Sequence, residues 1–322
     1  MRYPRLLLFF FCSVLPFFSA KAQQDAQFSL FMFNQLYFNP ATAGADGTTR
    51  FQLLNRVQWA GYQTTSGDPG APNTLLFSGS IPLNFIKSAV GVHYVNDRIG
   101  ATGSQEFQLS YSYKININDN TLSLGVRAGL QNRYIDYNRL IAREPGDPNI
   151  PTGRIGTTQP DIALGAFYDA TDFYVGVSVS HVNRPTFGLG GATAENALVP
   201  SSYLMAGYRW EPIYGLEVQP LVLAKSPLNF SSRTLSIEGG VMATWDEFFF
   251  GGITYRSGDS FNFILGINML ANRALRVVGA ADVTSTGRSA KGPFSYEVLL
   301  SYALPALTRG KKTIIRTPRF RY

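Results

Sequence analysis

The sequence predicts an all-β chain closed into an antiparallel barrel of about 14 strands, and three observations carry that expectation. Apolar residues alternate with small or polar ones through most of the chain after Phe51, the period-two signature of a strand with two different faces. Every apolar run after Gln23 is cut within a few residues by Gly, Ser, Asn, Arg or Lys, so none approaches the roughly 20 residues of a spanning helix. The connections between alternating segments sort by turns into short and long, as they do when strands run up and down through a bilayer. Composition agrees: 24 Phe, 17 Tyr and 31 Gly, with only 15% charged residues, suit a wall that faces lipid between aromatic rims. The expected location is the cell outer membrane.

Residues 1–22 read as an export signal peptide. Arg2 and Arg5 precede an uncharged run from Leu6 to Phe18, and Ser19-Ala20-Lys21-Ala22 supplies the small-x-small cleavage pattern. The single cysteine, Cys12, lies inside this leader, so the mature chain carries no thiol. Lipidation at Cys12 would need a Leu-small-small triplet before it, and Phe9-Phe10-Phe11 stand there instead.

Residues 23–50, QQDAQFSLFMFNQLYFNPATAGADGTTR, are dense in aromatics without clean alternation and are broken at Asn39-Pro40. Exposed, Phe28, Phe31, Phe33, Tyr37 and Phe38 would form a sticky patch. The segment is therefore expected either to plug the barrel mouth or to dock on a partner, with an irregular lead-in strand as the plainer alternative.

Residues 51–304 make the expected transmembrane barrel. Alternation places strands at Phe51–Trp59, Thr74–Ile81, Ala89–Asn96, Gln105–Ile115, Thr121–Tyr134, Asp161–Tyr168 and Phe173–Val182 in the first half. The second half adds Ser201–Trp210, Leu216–Ala224, Thr234–Thr244, Glu247–Arg256, Ser260–Met269, Ala274–Val283 and Ser295–Leu304. In the fourth, Phe107, Leu109, Tyr111, Tyr113 and Ile115 share one face against Gln108, Ser110, Ser112 and Lys114 on the other. The connections 116–120, 169–172, 211–215, 245–246 and 270–273 read as tight, whereas 60–73, 97–104, 135–160, 183–200 and 284–294 read as long loops. The lumen-facing positions read as largely Ser, Gly, Asn and Gln, with few paired charges.

Residues 305–322 read as a basic tail. Six cations (Arg309, Lys311, Lys312, Arg316, Arg319 and Arg321) stand there without an acid, which accounts for much of the formal net charge of +7. An even strand number puts both chain ends on the periplasmic side, where this partly apolar tail either lies along an acidic protein or remains solvated. Nucleic acid is not an expected partner of an exported protein.

No constellation for catalysis stands out. His93 and His181 are the only histidines and lack metal-ligand spacing, so no catalytic residue, cofactor or metal site is expected. The cluster Gly188-Leu189-Gly190-Gly191 is not followed by the Lys-Ser/Thr of a phosphate loop, and no Gly-x-Ser-x-Gly elbow is present. Arg256-Ser257-Gly258-Asp259-Ser260 reads as a hairpin turn, with Gly258 free to take positive φ.

Several short motifs resemble the PorP/SprF family of type IX secretion system membrane proteins of Bacteroidota. They are Gln23-Gln24-Asp25-Ala26-Gln27-Phe28-Ser29, Met32-Phe33-Asn34, Asn39-Pro40-Ala41-Thr42-Ala43-Gly44, Asn55-Arg56, Gly70-Ala71-Pro72, Val95-Asn96-Asp97-Arg98-Ile99-Gly100, Leu122-Ser123-Leu124-Gly125 and Tyr255-Arg256-Ser257-Gly258-Asp259. The resemblance implies a non-enzymatic barrel that works with the type IX machine, which also supports gliding motility. Such a barrel either couples to periplasmic components or helps export and hold a secreted surface protein or adhesin by its C-terminal domain. Residues expected at partner contacts are Phe28, Phe31, Phe33, Tyr37, Phe38, Asn39, Pro40, Arg139, Arg143, Arg154, Arg316, Arg319, Phe320 and Arg321. The competing reading is a general diffusion porin or outer-membrane transporter, which would keep an open lumen.

Overall fold

The computed structural model describes residues 25–63, 70–140, 151–189, 196–228, 235–287 and 291–304. The leader 1–22, Arg143 and the tail with Arg316, Arg319, Phe320 and Arg321 lie outside the described residues. Fourteen strands form one closed antiparallel circuit. They are β1 (Arg50–Val57), β2 (Asn73–Leu83), β3 (Ser88–Ile99), β4 (Thr102–Ile117), β5 (Asn120–Asp136), β6 (Arg154–Asp169) and β7 (Phe173–Ser180). Then come β8 (Ser201–Tyr208), β9 (Leu216–Pro227), β10 (Ser236–Trp245), β11 (Phe249–Arg256), β12 (Ser260–Met269), β13 (Leu275–Thr284) and β14 (Phe294–Ala303). Each strand pairs with its neighbours in sequence, and β1 pairs with β14 from Arg50↔Ala303 to Val57↔Tyr296. In hydrocarbon no water can bond a free backbone amide, so closure is what makes a strand wall viable there.

The alternation settles which residues face outward. Leu109, Val126, Leu164, Val177, Leu204, Val241, Ile253, Leu265 and Leu300 are exposed on the outer wall. Aromatics flank this band: Tyr113, Phe173, Tyr208, Trp245, Phe249 and Tyr302 toward one end, Phe107, Tyr255, Phe261, Phe294 and Tyr296 toward the other. Amphipathic rings at two levels mark the two bilayer interfaces.

The start of β1, the end of β14 and the tight turns at Tyr214-Gly215 and Asn118-Asp119 lie at one end, here the short-turn end. The first described residue, Asp25, lies toward the opposite end beside His181, so the expectation of both chain ends on one side holds for the barrel strands and not for the segment before them. The opposite end carries the connections 58–72, 137–153 and 181–200, and is here the loop end. The short-turn end corresponds to the periplasmic side.

Several boundaries differ from the sequence reading. The expected long loop 97–104 is a two-residue turn, Gly100-Ala101, because β3 and β4 stay paired through Ile99↔Thr102. Similarly, β6 begins at Arg154 rather than Asp161, since its polar start pairs with β5 from Asp136↔Arg154 onward. Pro160 is tolerated there because β7 joins β6 only from Leu164, which leaves that edge of β6 without a partner strand. With 16, 17 and 16 residues, β4, β5 and β6 exceed the 9–11 or so that a bilayer requires, and the β5–β6 pair projects beyond β7 at the loop end. β7 ends at Ser180 because His181 takes a left-handed φ of 58°, which turns the chain off the wall. After Tyr208 the chain breaks and resumes as Trp210–Ile213, pairing irregularly with the start of β9.

Leu265, 74% exposed at the middle of β12, tests the lipid face. Leu265→Arg is expected to destabilise the barrel by about 2–4 kcal/mol in liposomes, measured by denaturant unfolding. A neutral result, as on a water-facing surface, would contradict a lipid-facing wall.

Candidate functional site

The lumen is filled by the chain's own residues 25–49. The segment starts in the loop-end half of the barrel, descends past Phe33, crosses in a four-residue helix α1 (Gln35–Phe38), turns through Pro40–Thr42 and feeds into β1. Its lower end is tied to the last strand, where the Leu304 amide donates to the Thr49 carbonyl at 2.8 Å. Phe28, Leu30, Phe31, Tyr37, Phe38 and Ala41 are buried together with the inward side chains Leu54, Leu76, Phe167, Met205, Met242 and Ile264 of the wall. Edge-to-face rings, Phe28–Tyr37 at 5.1 Å and Tyr37–Phe38 at 5.0 Å, hold the centre.

Three contacts fix this plug to the wall. At the first, the Ser29 and Leu30 amides donate to the two carboxylate oxygens of Glu297 at 2.6 and 3.0 Å. The Ser29 hydroxyl donates to Asp282 at 2.8 Å and accepts from Arg56 at 3.1 Å and Arg256 at 2.9 Å. Arg56 pairs with both Glu297 and Asp282, and Arg256 pairs with Glu238 at 2.8 Å and Asp259 at 3.2 Å. The strand register creates these pairs, since Arg56 stands opposite Glu297 and Glu238 opposite Arg256. This corrects the expectation of a lumen with few paired charges. Ions so buried are strongly coupled, and removing one partner typically costs about 3–5 kcal/mol.

The second contact holds the top of the plug. Asp25 accepts from Tyr203 at 2.7 Å, pairs with Lys225 at 3.1 Å and meets His181 Nε2 at 2.9 Å. His181 Nδ1 meets Asp161 at 2.8 Å, and Gln108 donates to the other Asp161 oxygen at 2.9 Å. The left-handed backbone at His181 aims its ring inward, so two carboxylates bracket one imidazole. Burial alone would lower the His181 pKa, but the charge of Asp25 and the hydrogen bonds to both acids push it up to about 10. Burial would likewise raise Asp25, yet Lys225 and His181 hold it well below its usual value. Burial, then the charges of Asp25 and Glu106, push the Tyr37 hydroxyl well above its ordinary value.

The third contact is steric. Gly125 on β5 and Gly165 on β6 stand opposite each other and face inward. A Cβ at Gly125 would lie 2.2 Å from the Ala41 nitrogen, and one at Gly165 2.1 Å from Asn39 Oδ1. The two glycines form a slot for Asn39-Pro40-Ala41. There Asn39 Nδ2 donates to the wall carbonyls of Ala166 and Val177 at 2.9 and 3.2 Å, and Asn39 Oδ1 accepts from the Ala41 amide at 2.9 Å. The hydroxyls of Ser178 and Ser112 donate to the Phe38 and Ala43 carbonyls at 2.6 and 2.9 Å, and Arg127 donates to the Tyr37 carbonyl at 2.7 Å.

The structure thus brings together Phe28, Phe31, Tyr37, Phe38, Asn39 and Pro40 inside the barrel, with Phe33 half-buried against Phe250 at 5.2 Å. Of the two destinations the sequence left open for them, this conformation occupies the lumen, and their contacts are intramolecular. Arg139 and Arg154 lie apart from these, exposed at the loop end beside the β5–β6 junction. Arg139 approaches Asp136 at 3.8 Å, and the Arg154 guanidinium lies 3.2 Å from the centroid of the Tyr134 ring. Sequence reasoning missed the partners of Ser29, the Asp25–His181 contact and the glycine slot. Gly258 does take φ +67° in the turn after β11, but Arg256 beside it reaches inward to Ser29 rather than serving turn chemistry alone. Among the described residues, no group of three or more His, Cys, Asp or Glu is arranged to hold a metal.

The family described as "Type IX secretion system membrane protein PorP/SprF" matches residues 20–302. No curated protein matches. Among solved structures, the chain is similar to the Pseudomonas putida toluene transporter TodX, with 10% identity over 83% of this chain and 92% of that one and a TM-score of 0.49. A Pseudomonas aeruginosa FadL homologue gives 14% identity over 82% and 91%, with a TM-score of 0.45. The Acinetobacter baumannii outer membrane protein Omp33 gives 9% identity over 80% and 99%, with a TM-score of 0.44.

Two outcomes test the plug's seating. Gly125→Ala is expected to destabilise the folded barrel by about 1–3 kcal/mol through overpacking, whereas Gly279→Ala, which meets no atom within 4 Å, is expected to have no effect of that size. Equal thermal denaturation of the two variants would remove the slot. The Asp25–His181 contact predicts a pH dependence with two limbs. His181, raised from 6.5, contributes fully below pH 6.5 and loses its contribution as pH rises through about 10. Asp25, lowered from 3.8, contributes above pH 3.8 and loses its contribution as pH falls through its lowered value. The stability advantage of native protein over Asp25→Asn, read from thermal melts, should be greatest between pH 3.8 and 6.5 and shrink toward pH 10. A pH-independent advantage would show that the charges are not coupled.

Proposed function

Because the chain belongs to the PorP/SprF family of type IX secretion system membrane proteins, we propose that this outer-membrane barrel is a plugged, non-enzymatic anchor rather than a conduit. The observation that carries the reading is the occupied lumen: residues 25–49 are fastened to the wall by buried ion pairs, an aromatic cluster and a steric slot. A component of a secretion machine that does not pass its cargo through its own pore acts through its two ends. On this reading the loop end helps export and hold a secreted surface protein or adhesin by its C-terminal domain. Arg139 and Arg154, exposed where the long strands project, are the loop-end cations assigned to that contact.

The short-turn end is the one that faces the periplasmic machinery. The chain leaves β14 at that end, where Leu304 is tied to Thr49. The basic residues beyond it, including Arg316, Arg319 and Arg321 with Phe320, are assigned to docking on that machinery, where cations suit an acidic partner. The buried aromatics contribute indirectly, by keeping the plug in place.

Two measurements test the proposal. In planar bilayers the native protein is expected to show no sustained open-channel current, while deletion of residues 25–48 opens one. Sustained current from the native protein would favour a diffusion porin or transporter instead. In an affinity pull-down from mildly solubilised outer membranes, a surface protein should co-purify both with the full chain and with one truncated after Thr308. Periplasmic machine subunits should be lost on truncation; recovery of neither class would sink the anchor reading.

A further inference from the structure

A second feature of the lumen lies at the short-turn mouth, away from the three contacts that hold the plug. A cavity of about 80 Å³ opens there, its lining including Arg276, Arg50, Gln52 and Ser78 from the wall and Phe33 and Asp46 from the plug. Arg276 is the second residue of β13 and faces inward. Its Nε donates to Asn268 Oδ1 at 2.8 Å, and its guanidinium lies 4.9 Å from the Phe33 ring centroid and 5.5 Å from that of Phe250. These contacts fix the plane of the group at the cavity wall, and its hydrogen bond to the wall is made through Nε rather than through the terminal nitrogens. Among the described residues, no carboxylate lies within ion-pair distance of Arg276, in contrast to Arg56 and Arg256 higher in the lumen. The neighbouring Arg50 pairs with Asp46 at 2.6 Å, and that acid is half-exposed to solvent. Two guanidinium groups therefore line one small polar cavity with a single carboxylate, Asp46, which is paired with Arg50 and not with Arg276.

We propose that this cavity is a carboxylate-binding site open to the short-turn side, with Arg276 as the bidentate receptor. With Nε already engaged, the free edge of the guanidinium is its Nη1–Nη2 pair, whose parallel N–H groups match the two oxygens of a carboxylate. The volume is enough for about five water positions, which suits a carboxyl group with one or two attached carbons. Binding also offsets a partly desolvated charge that lacks a counter-ion. The site goes beyond the anchor reading and does not depend on it, since it concerns a ligand entering from one end of a plugged barrel.

Saturation-transfer NMR on the full chain in detergent, with acetate as the probe, tests it directly. Acetate is expected to bind native protein, to bind Arg276→Gln at least tenfold more weakly, and to bind Arg276→Lys at an intermediate level, since lysine keeps charge but loses the fork. Heat-modifiable gel migration verifies that each variant is folded, and Arg98→Gln, exposed near the loop end of β3, should bind like native protein. Triglycine and its C-terminal amide distinguish the source: binding of the free acid but not the amide supports a polypeptide carboxylate, and binding of acetate alone supports a small free acid. Equal acetate binding by native protein and Arg276→Gln, or none by the native protein, overturns the site. Displacement of acetate by lower concentrations of inorganic phosphate overturns its assignment to carboxylates.

Discussion

A backbone amide in hydrocarbon has no water to bond with, and the rest of the molecule follows from meeting that requirement by closure. Fourteen strands joined edge to edge leave no free ladder in the bilayer, but they also enclose more space than inward side chains alone can fill. The interior must then be water or protein. Here it is protein, and because the wall's inner face alternates polar with apolar positions, the filler must satisfy both kinds. Residues 25–49 do so, placing Phe28, Tyr37 and Phe38 against the apolar inner positions and Ser29, Asp25 and Asn39 against the charged and polar ones.

The wall was legible in the sequence because its signal is local. Tyr296, Val298, Leu300 and Tyr302 alternate with Glu297 and Ser301 within one strand, and that pattern alone says which face meets lipid. Where β3 and β4, or β5 and β6, continue beyond the bilayer, the outer face no longer needs to be apolar. The polar stretches near Gly100 and before Asp161 therefore read as loop although they are paired strand.

The plug site was only partly legible. Its aromatic density and the break at Asn39-Pro40 marked the segment as neither strand nor solvated tail, which is a statement about composition. Its contacts depend on register: Arg56 and Glu297 are 241 residues apart and meet only because β1 and β14 align them. The same holds for Gly125 and Gly165, each an ordinary small residue in its own strand, and a slot only when set opposite each other. His181 is informative only through its backbone, since φ 58° is what points a loop-end histidine inward. Motif matches had flagged Ser29, Asn39, Arg56 and Gly125 as belonging to recognisable stretches without saying what any of them touches.

The placement of Ser29 has a mechanical consequence. Its partners Arg56 on β1, Glu297 on β14, Asp282 on β13 and Arg256 on β11 straddle the seam where the first and last strands of the cylinder are zipped together. A cylinder of strands splits most readily where its two chain ends meet, because no covalent hairpin holds that pair at either rim. The serine staples that pair from within. Withdrawing it would leave two acids and two arginines facing one another across the zip without their shared hydroxyl, and unzipping would strip the serine of the groups it bridges. Filling and sealing are thus one cooperative event, so any force that tugs on this segment is felt as lateral strain in the cylinder wall.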